Sequence, residues 1–161
     1  MVLRFFFFAL LLGCAEVERD NPQDPNNVDG KAYSITVRNG IKWMGNLNHK
    51  ASGSKCYNDA ENCEGCGRLY NWSTAKDVCP GGWRLPSDAE IRALTGRFFS
   101  KCGMYGYDGF DNMGIRGFYW SSEGTAWVAG NSFDTDAIGQ SYGRGWYISV
   151  RCVKDLIKED L

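Results

Sequence analysis

Histidine is almost missing from this chain. His49 is the only one in 161 residues. Nucleophilic sites of the Ser-His-Asp or Cys-His type need an imidazole to move the proton, and one histidine in a presumed loop is an ordinary solvated side chain. An excess of charge of one sign is missing too. Lys and Arg total 18 against 19 Asp and Glu, a net charge of −1, which leaves no electrostatic footprint for nucleic acid. No apolar run is long enough to span a bilayer, which takes about 20 residues. There is no internal repeat and no low-complexity tract. The one CxxC, Cys63-Glu64-Gly65-Cys66, has neither a second CxxC nor a nearby His pair, so it is a poor zinc site.

What is present begins with export. Residues 1–13 read MVLRFFFFALLLG, with Arg4 ahead of the apolar run Phe5–Leu12. That is the layout of a secretory signal. Leu11-Leu12-Gly13-Cys14 resembles a bacterial lipobox, which implies cleavage before Cys14 and lipidation of that cysteine. Stable anchoring needs more than one chain, a condition that a triacylated cysteine meets. Residues 14–30 are acidic, carry two prolines and have almost no apolar side chains. Such a stretch cannot bury a core and is expected to be a flexible tether. Residues 31–161 have the size of one domain.

Without Cys14, six cysteines remain: Cys56, Cys63, Cys66, Cys79, Cys102 and Cys152. An even number in an exported chain argues for disulfides. Six cysteines allow fifteen connectivities, and spacing alone does not choose among them.

Local pattern predicts a mixed fold. Lys31–Arg38 alternates, with Tyr33, Ile35 and Val37 on one face. Asn39-Gly40 is a hairpin turn signal, and the return strand is 41–47. Residues 48–68 read as a loop held by cysteines. A short helix is expected over Asn71–Val78. A second, over Asp88–Leu94, reaches towards Phe99. Its start carries the capping box Ser87-x-x-Glu90 behind Pro86. Strands are expected at 117–122 and 125–129. The last strand is 145–153, with Trp146, Ile148, Val150 and Cys152 on one face.

A hairpin, two helices and then several strands is an order that resembles the Fibrobacter succinogenes major paralogous domain family of bacterial surface lipoproteins. The matching pieces are KWMGNLN (42–48), GRLYNWSTAKDVCPGGWRLPSDAEIRAL (67–94), YWSSE (119–123) and SVRCVKD (149–155), with DNPQDP in the tether. RLPSDAE is also similar to a segment of the formylglycine-generating-enzyme group. The resemblance implies an α+β, C-type-lectin-like fold: a small twisted antiparallel sheet, two helices and long glycine-rich loops. It further implies that CPGGW (79–83) turns sharply against the last strand, with Gly81 and Gly82 permitting the turn and Cys79 bridged to Cys152. Cys56 and Cys63 then fit a local bridge across CYNDAENC. Cys66 and Cys102 remain as a pair, and Cys66 replaces the tyrosine usual before GRLY.

The formylglycine activity does not carry over, because Cys152 is isolated where a reactive pair would be needed. No enzyme is expected. The carboxylate pairs Asp108/Asp111 and Asp134/Asp136 are weak signs of acid–base work. They would supply only some of the six to eight oxygens that calcium takes, and the sugar-binding calcium signatures of lectins are absent. Solvated loop carboxylates are expected, and no cofactor.

Residues 124–148 read GTAWVAGNSFDTDAIGQSYGRGWYI. Trp127, Asn131, Asp134, Asp136, Gln140, Tyr142 and Arg144 combine flat apolar area with directional polar groups, the composition of a recognition surface. In a C-type-lectin-like fold this region carries ligand contacts. The expected function is a lipid-anchored, non-catalytic binding module for a surface glycan or protein in the bacterial envelope, at the outer membrane or cell surface. The alternative is a structural envelope protein without a specific ligand.

Overall fold

Asn39 and Gly40 both adopt left-handed backbone, at φ 52° and 75°, which makes the turn that matches strand twist in a tight hairpin. In the computed structural model, which describes residues 27–28, 30–94, 98–130, 135–139 and 145–156, this turn joins β3 to β4. The elements run β1 (Asn27–Val28), β2 (Lys31–Ala32), β3 (Ile35–Arg38), β4 (Ile41–Asn46), β5 (Ser54–Lys55), α1 (Asn62–Cys66), β6 (Leu69–Tyr70), α2 (Trp72–Ala75) and α3 (Asp88–Arg92). They continue with β7 (Cys102–Gly106), β8 (Gly109–Met113), β9 (Gly117–Trp120), β10 (Ala126–Ala129), β11 (Thr135–Gly139), β12 (Ile148–Ser149) and β13 (Arg151–Asp155). The protein is mixed α+β, mostly sheet, with a few short helices and three disulfides.

Several local expectations change. β1 falls inside the stretch read as tether and pairs with β2 around Gly30, so backbone pairing starts ahead of position 31. Residues 48–68 hold β5 and the one-turn α1 as well as loop. The helix expected over Asn71–Val78 is the shorter α2. Asn71 caps it by accepting from the Thr74 N–H at 3.0 Å. α3 ends at the Ala93 cap, short of Leu94. Its capping box is complete: Glu90 N–H reaches Ser87 Oγ at 3.2 Å and Ser87 N–H reaches Glu90 at 2.7 Å.

The last strand is split. β12 pairs with β6 and β9, whereas β13 pairs with β4. The chain changes sheets at Val150, whose carbonyl accepts from Leu47 N–H at 2.8 Å. This segment packs on both sides. Ile148, Val150 and Cys152 join one core with Met44, Leu47, Tyr70 and Trp120. Val153 joins a second with Trp43, Ile91, Leu94, Phe99, Tyr119 and Trp127. Neighbours in β4, β9 and β10 divide the same way, since adjacent side chains of a strand point to opposite faces.

The CPGGW segment turns as expected. Trp83 N–H donates to Pro80 O at 2.9 Å, with Gly82 at φ 81°. The chain then runs antiparallel to β13 through two bonds between Arg84 and Val153, at 3.0 and 2.7 Å. The disulfide Cys79–Cys152 lies beside this pairing. Cys56–Cys63 closes the loop before and through α1. Cys66–Cys102 ties the end of α1 to the start of β7.

Asp88 and Glu90 secure the start of α3. Asp88 accepts from Trp127 Nε1 at 2.7 Å and Thr125 Oγ1 at 3.0 Å. Burial pushes its carboxyl up, but hydrogen bonds from Ser121, Trp127 and Thr125, with the Arg92 charge, outweigh that and hold it below the usual range. Glu90 is held low mainly by its two-pronged contact with Arg84, at 2.8 and 2.7 Å, against the cost of burial. Both groups take up protons less readily folded than unfolded. Their stabilisation is therefore complete above the ordinary carboxylate range, about pH 4, and is lost as pH falls through the depressed folded values. Thermal melts should be flat near neutrality and fall below about pH 4. Asp88→Asn should melt lower than the wild type at neutral pH and converge with it in acid. A constant gap between the two across pH would contradict this role.

Candidate functional site

The sequence placed its recognition surface at Trp127 and the following loop. The structure moves Trp127 out of it. Trp127 is 2 % exposed, sits in the second core and donates to Asp88. The reason is the strand period: Trp127 and Ala129 of β10 face α3 while Ala126 faces the other core. Asp136 lies on β11, its backbone opposite Val128, and its side chain is outside the described residues. Asn131, Asp134, Gln140, Tyr142 and Arg144 also lie outside them, as does Cys14.

An aromatic face does form, on residues that the sequence reading did not single out. β7 and β8 make a hairpin in which Tyr105 lies opposite Phe110, rings 4.8 Å apart. Tyr57 packs on Phe110 at 4.9 Å. Tyr147 joins by backbone, exchanging two bonds with Tyr105 at 2.9 and 2.8 Å, and its ring stands edge-on to Tyr105 at 5.7 Å. All four are half-buried. Lys55 projects from β5 with Nζ at 3.6 Å from the Tyr105 ring centre and 4.1 Å from that of Tyr147, so cation–π attraction orients all three. At the hairpin tip Tyr107 is 87 % exposed.

Two covalent or steric devices place this face. The Cys66–Cys102 bridge fixes the root of β7. Gly103, at φ 64°, lets the strands close, since a Cβ there would stand 2.6 Å from Tyr57 Cε2 and also collide with Asp111 O. Gly103→Ala should therefore cost about 2–3 kcal/mol by backbone strain and overpacking, read from urea melts. An unchanged midpoint would show that the hairpin does not need this close approach. A signal existed in the sequence: Tyr105, Tyr107 and Phe110 cluster with Gly106 and Gly109, but glycine there reads equally well as loop.

Chemically, the face offers ring area, tyrosine hydroxyls and one ammonium. Among the described residues no group of three His, Cys, Asp or Glu side chains could hold a metal ion, and no helix is long and apolar enough to cross a membrane. Comparison with protein-family models, with curated proteins and with solved structures finds no match.

Proposed function

We propose that this protein is an exported binding module of C-type-lectin-like architecture, held to the bacterial envelope by lipid on Cys14, and that it takes a glycan or protein ligand on the face made by Tyr57, Tyr105, Tyr107, Phe110, Tyr147 and Lys55. One observation carries the reading: a half-buried row of aromatic rings sits on a hairpin whose tip carries a tyrosine that is almost wholly exposed. Rings held rigid at a surface give apolar contact at little entropic cost and a hydroxyl for direction. The three disulfides suit an oxidising compartment. The role is non-catalytic. The described carboxylates with shifted affinity, Asp88 and Glu90, hold α3 and Trp127, and both are ionised at neutral pH.

A specific observation favours a second reading, a structural envelope protein. Lys55 already sits on the Tyr105–Tyr147 pair from within, so part of the face has an internal occupant.

The test is a binding screen of the oxidised protein against surface glycans and envelope proteins, repeated with Tyr107→Ala. Tyr107 is exposed, so the change should leave stability within about 0.5 kcal/mol. A ligand centred on the face should lose about 2 kcal/mol of affinity, roughly thirtyfold. Equal binding by both proteins would rule the face out, and no ligand in the screen would favour the structural reading.

A further inference from the structure

The three-stranded sheet β13–β4–β3 contains a buried cation that no described residue neutralises. Arg151 stands opposite Asn46 across β13 and β4 and is 8 % exposed. Its Nε donates to Met44 O at 2.8 Å and its Nη1 to Phe98 O at 2.7 Å. The guanidinium carbon lies 4.3 Å from the Phe98 ring centre. Among the described residues no hydrogen bond leaves Nη2, and no carboxylate pairs with the group. Burying a charge without an opposite one costs several kcal/mol, and arginine stays protonated regardless. Carbonyl dipoles and a ring face offset only part of that cost.

Beside this cation is a cavity of about 530 Å³, lined by Arg151, Asn46, Ser34, Ser100, Lys31 and Glu64. Its size falls in the range of small-ligand sites, roughly 300–1,000 Å³. Asn46 lines the cavity as well. Its Nδ2 donates to Cys66 O at 2.9 Å. Lys31 stands exposed at the rim, its Nζ bonded to Asn48 O at 3.0 Å. Glu64 stands exposed there as well, which disfavours a highly charged polyanion.

We infer that this cavity binds a small carboxylate, its oxygens facing the Arg151 guanidinium. A carboxylate next to a positively charged guanidinium makes the stronger, charge-assisted kind of hydrogen bond. A free sugar acid and the uronate unit of a polysaccharide share this chemistry. The cavity shares no residue with the aromatic face, so the inference stands apart from the function proposed above.

The experiment is an NMR titration of the oxidised protein with glucuronate, glucose and acetate, following backbone amides and the Arg151 Nε–H signal. Glucuronate and acetate should each saturate and shift the Arg151 signal, with glucose at least about tenfold weaker. Ser34→Glu places a carboxylate at an exposed position in the cavity wall without altering the core, and should weaken glucuronate about tenfold. Tyr107→Ala should leave it unchanged. An oligosaccharide ending in glucuronate that binds at least as well as the free acid identifies a polysaccharide source, and one that binds less well identifies the free acid. Glucuronate or acetate giving no saturable shift, glucose matching them, Ser34→Glu binding normally, or Tyr107→Ala abolishing the response would each overturn the inference.

Discussion

The double substitution Cys79→Ala with Cys152→Ala should destabilise the oxidised protein by about 4 kcal/mol and lower its melting temperature by roughly 15 °C. The bridge closes 73 residues of chain, so its loss returns a large amount of freedom to the unfolded state. The chain-entropy model gives about 2.4 kcal/mol for the loop of 7 residues at Cys56–Cys63 and about 3.8 for the 36 at Cys66–Cys102. The order of loss in urea melts should follow loop length. Alanine is the right replacement, because Cys152 is fully buried and serine there would add an unsatisfied hydroxyl. Domains of this size are stable by about 5–15 kcal/mol, so this one bridge decides much of the total. A shift of under about 1 kcal/mol would mean that the Arg84–Val153 pairing and the surrounding core hold the two ends without it.

Trp127→Ala should cost about 4 kcal/mol. It empties a large site in the second core, among Ile91, Tyr119 and Val153, and removes the indole N–H from Asp88 Oδ1. The Asp88 carboxylate then keeps Thr125 but loses its shortest contact, so the start of α3 loosens as well. Trp127→Phe keeps most of the ring and should lose less. Any binding defect of the alanine variant should track its loss of folded protein and disappear under conditions where the variant is fully folded. A folded, stable Trp127→Ala protein that failed only in binding would return Trp127 to the surface role that its sequence context suggested.

Features written into short stretches of chain were legible in advance. The Ser87–Glu90 box, the Asn39-Gly40 turn and the CPGGW turn each depend on a few adjacent residues, and each formed where expected. The three bridges are the expected pairs: the family resemblance implied Cys79–Cys152, the short span of CYNDAENC fitted Cys56–Cys63, and Cys66 and Cys102 were the two that remained. Features that depend on packing were not legible. The β7–β8 hairpin has few β-branched residues, and its glycines looked like loop until Gly103 was seen to admit Tyr57. In 145–153 the even positions were read as core, correctly, but the odd ones are not simply outward. Tyr147 joins the aromatic face, Arg151 is buried under Phe98, and Val153 packs in the second core. A strand buried on both sides shows no alternation to read. Trp127 looked like a ligand contact because composition cannot tell which face of β10 meets α3.

The arrangement of the aromatic face rests on a covalent frame, with Cys66–Cys102 rooting β7 and Cys79–Cys152 locking the last strand. Proteolysis of the unreduced protein with thiols blocked, followed by mass spectrometry of the linked peptides, tests that frame directly. The structure predicts three linked pairs, 56 with 63, 66 with 102 and 79 with 152, with none of these six sulfurs alkylated. Alkylated Cys79 or Cys152, or either of them joined to a different partner, would contradict it.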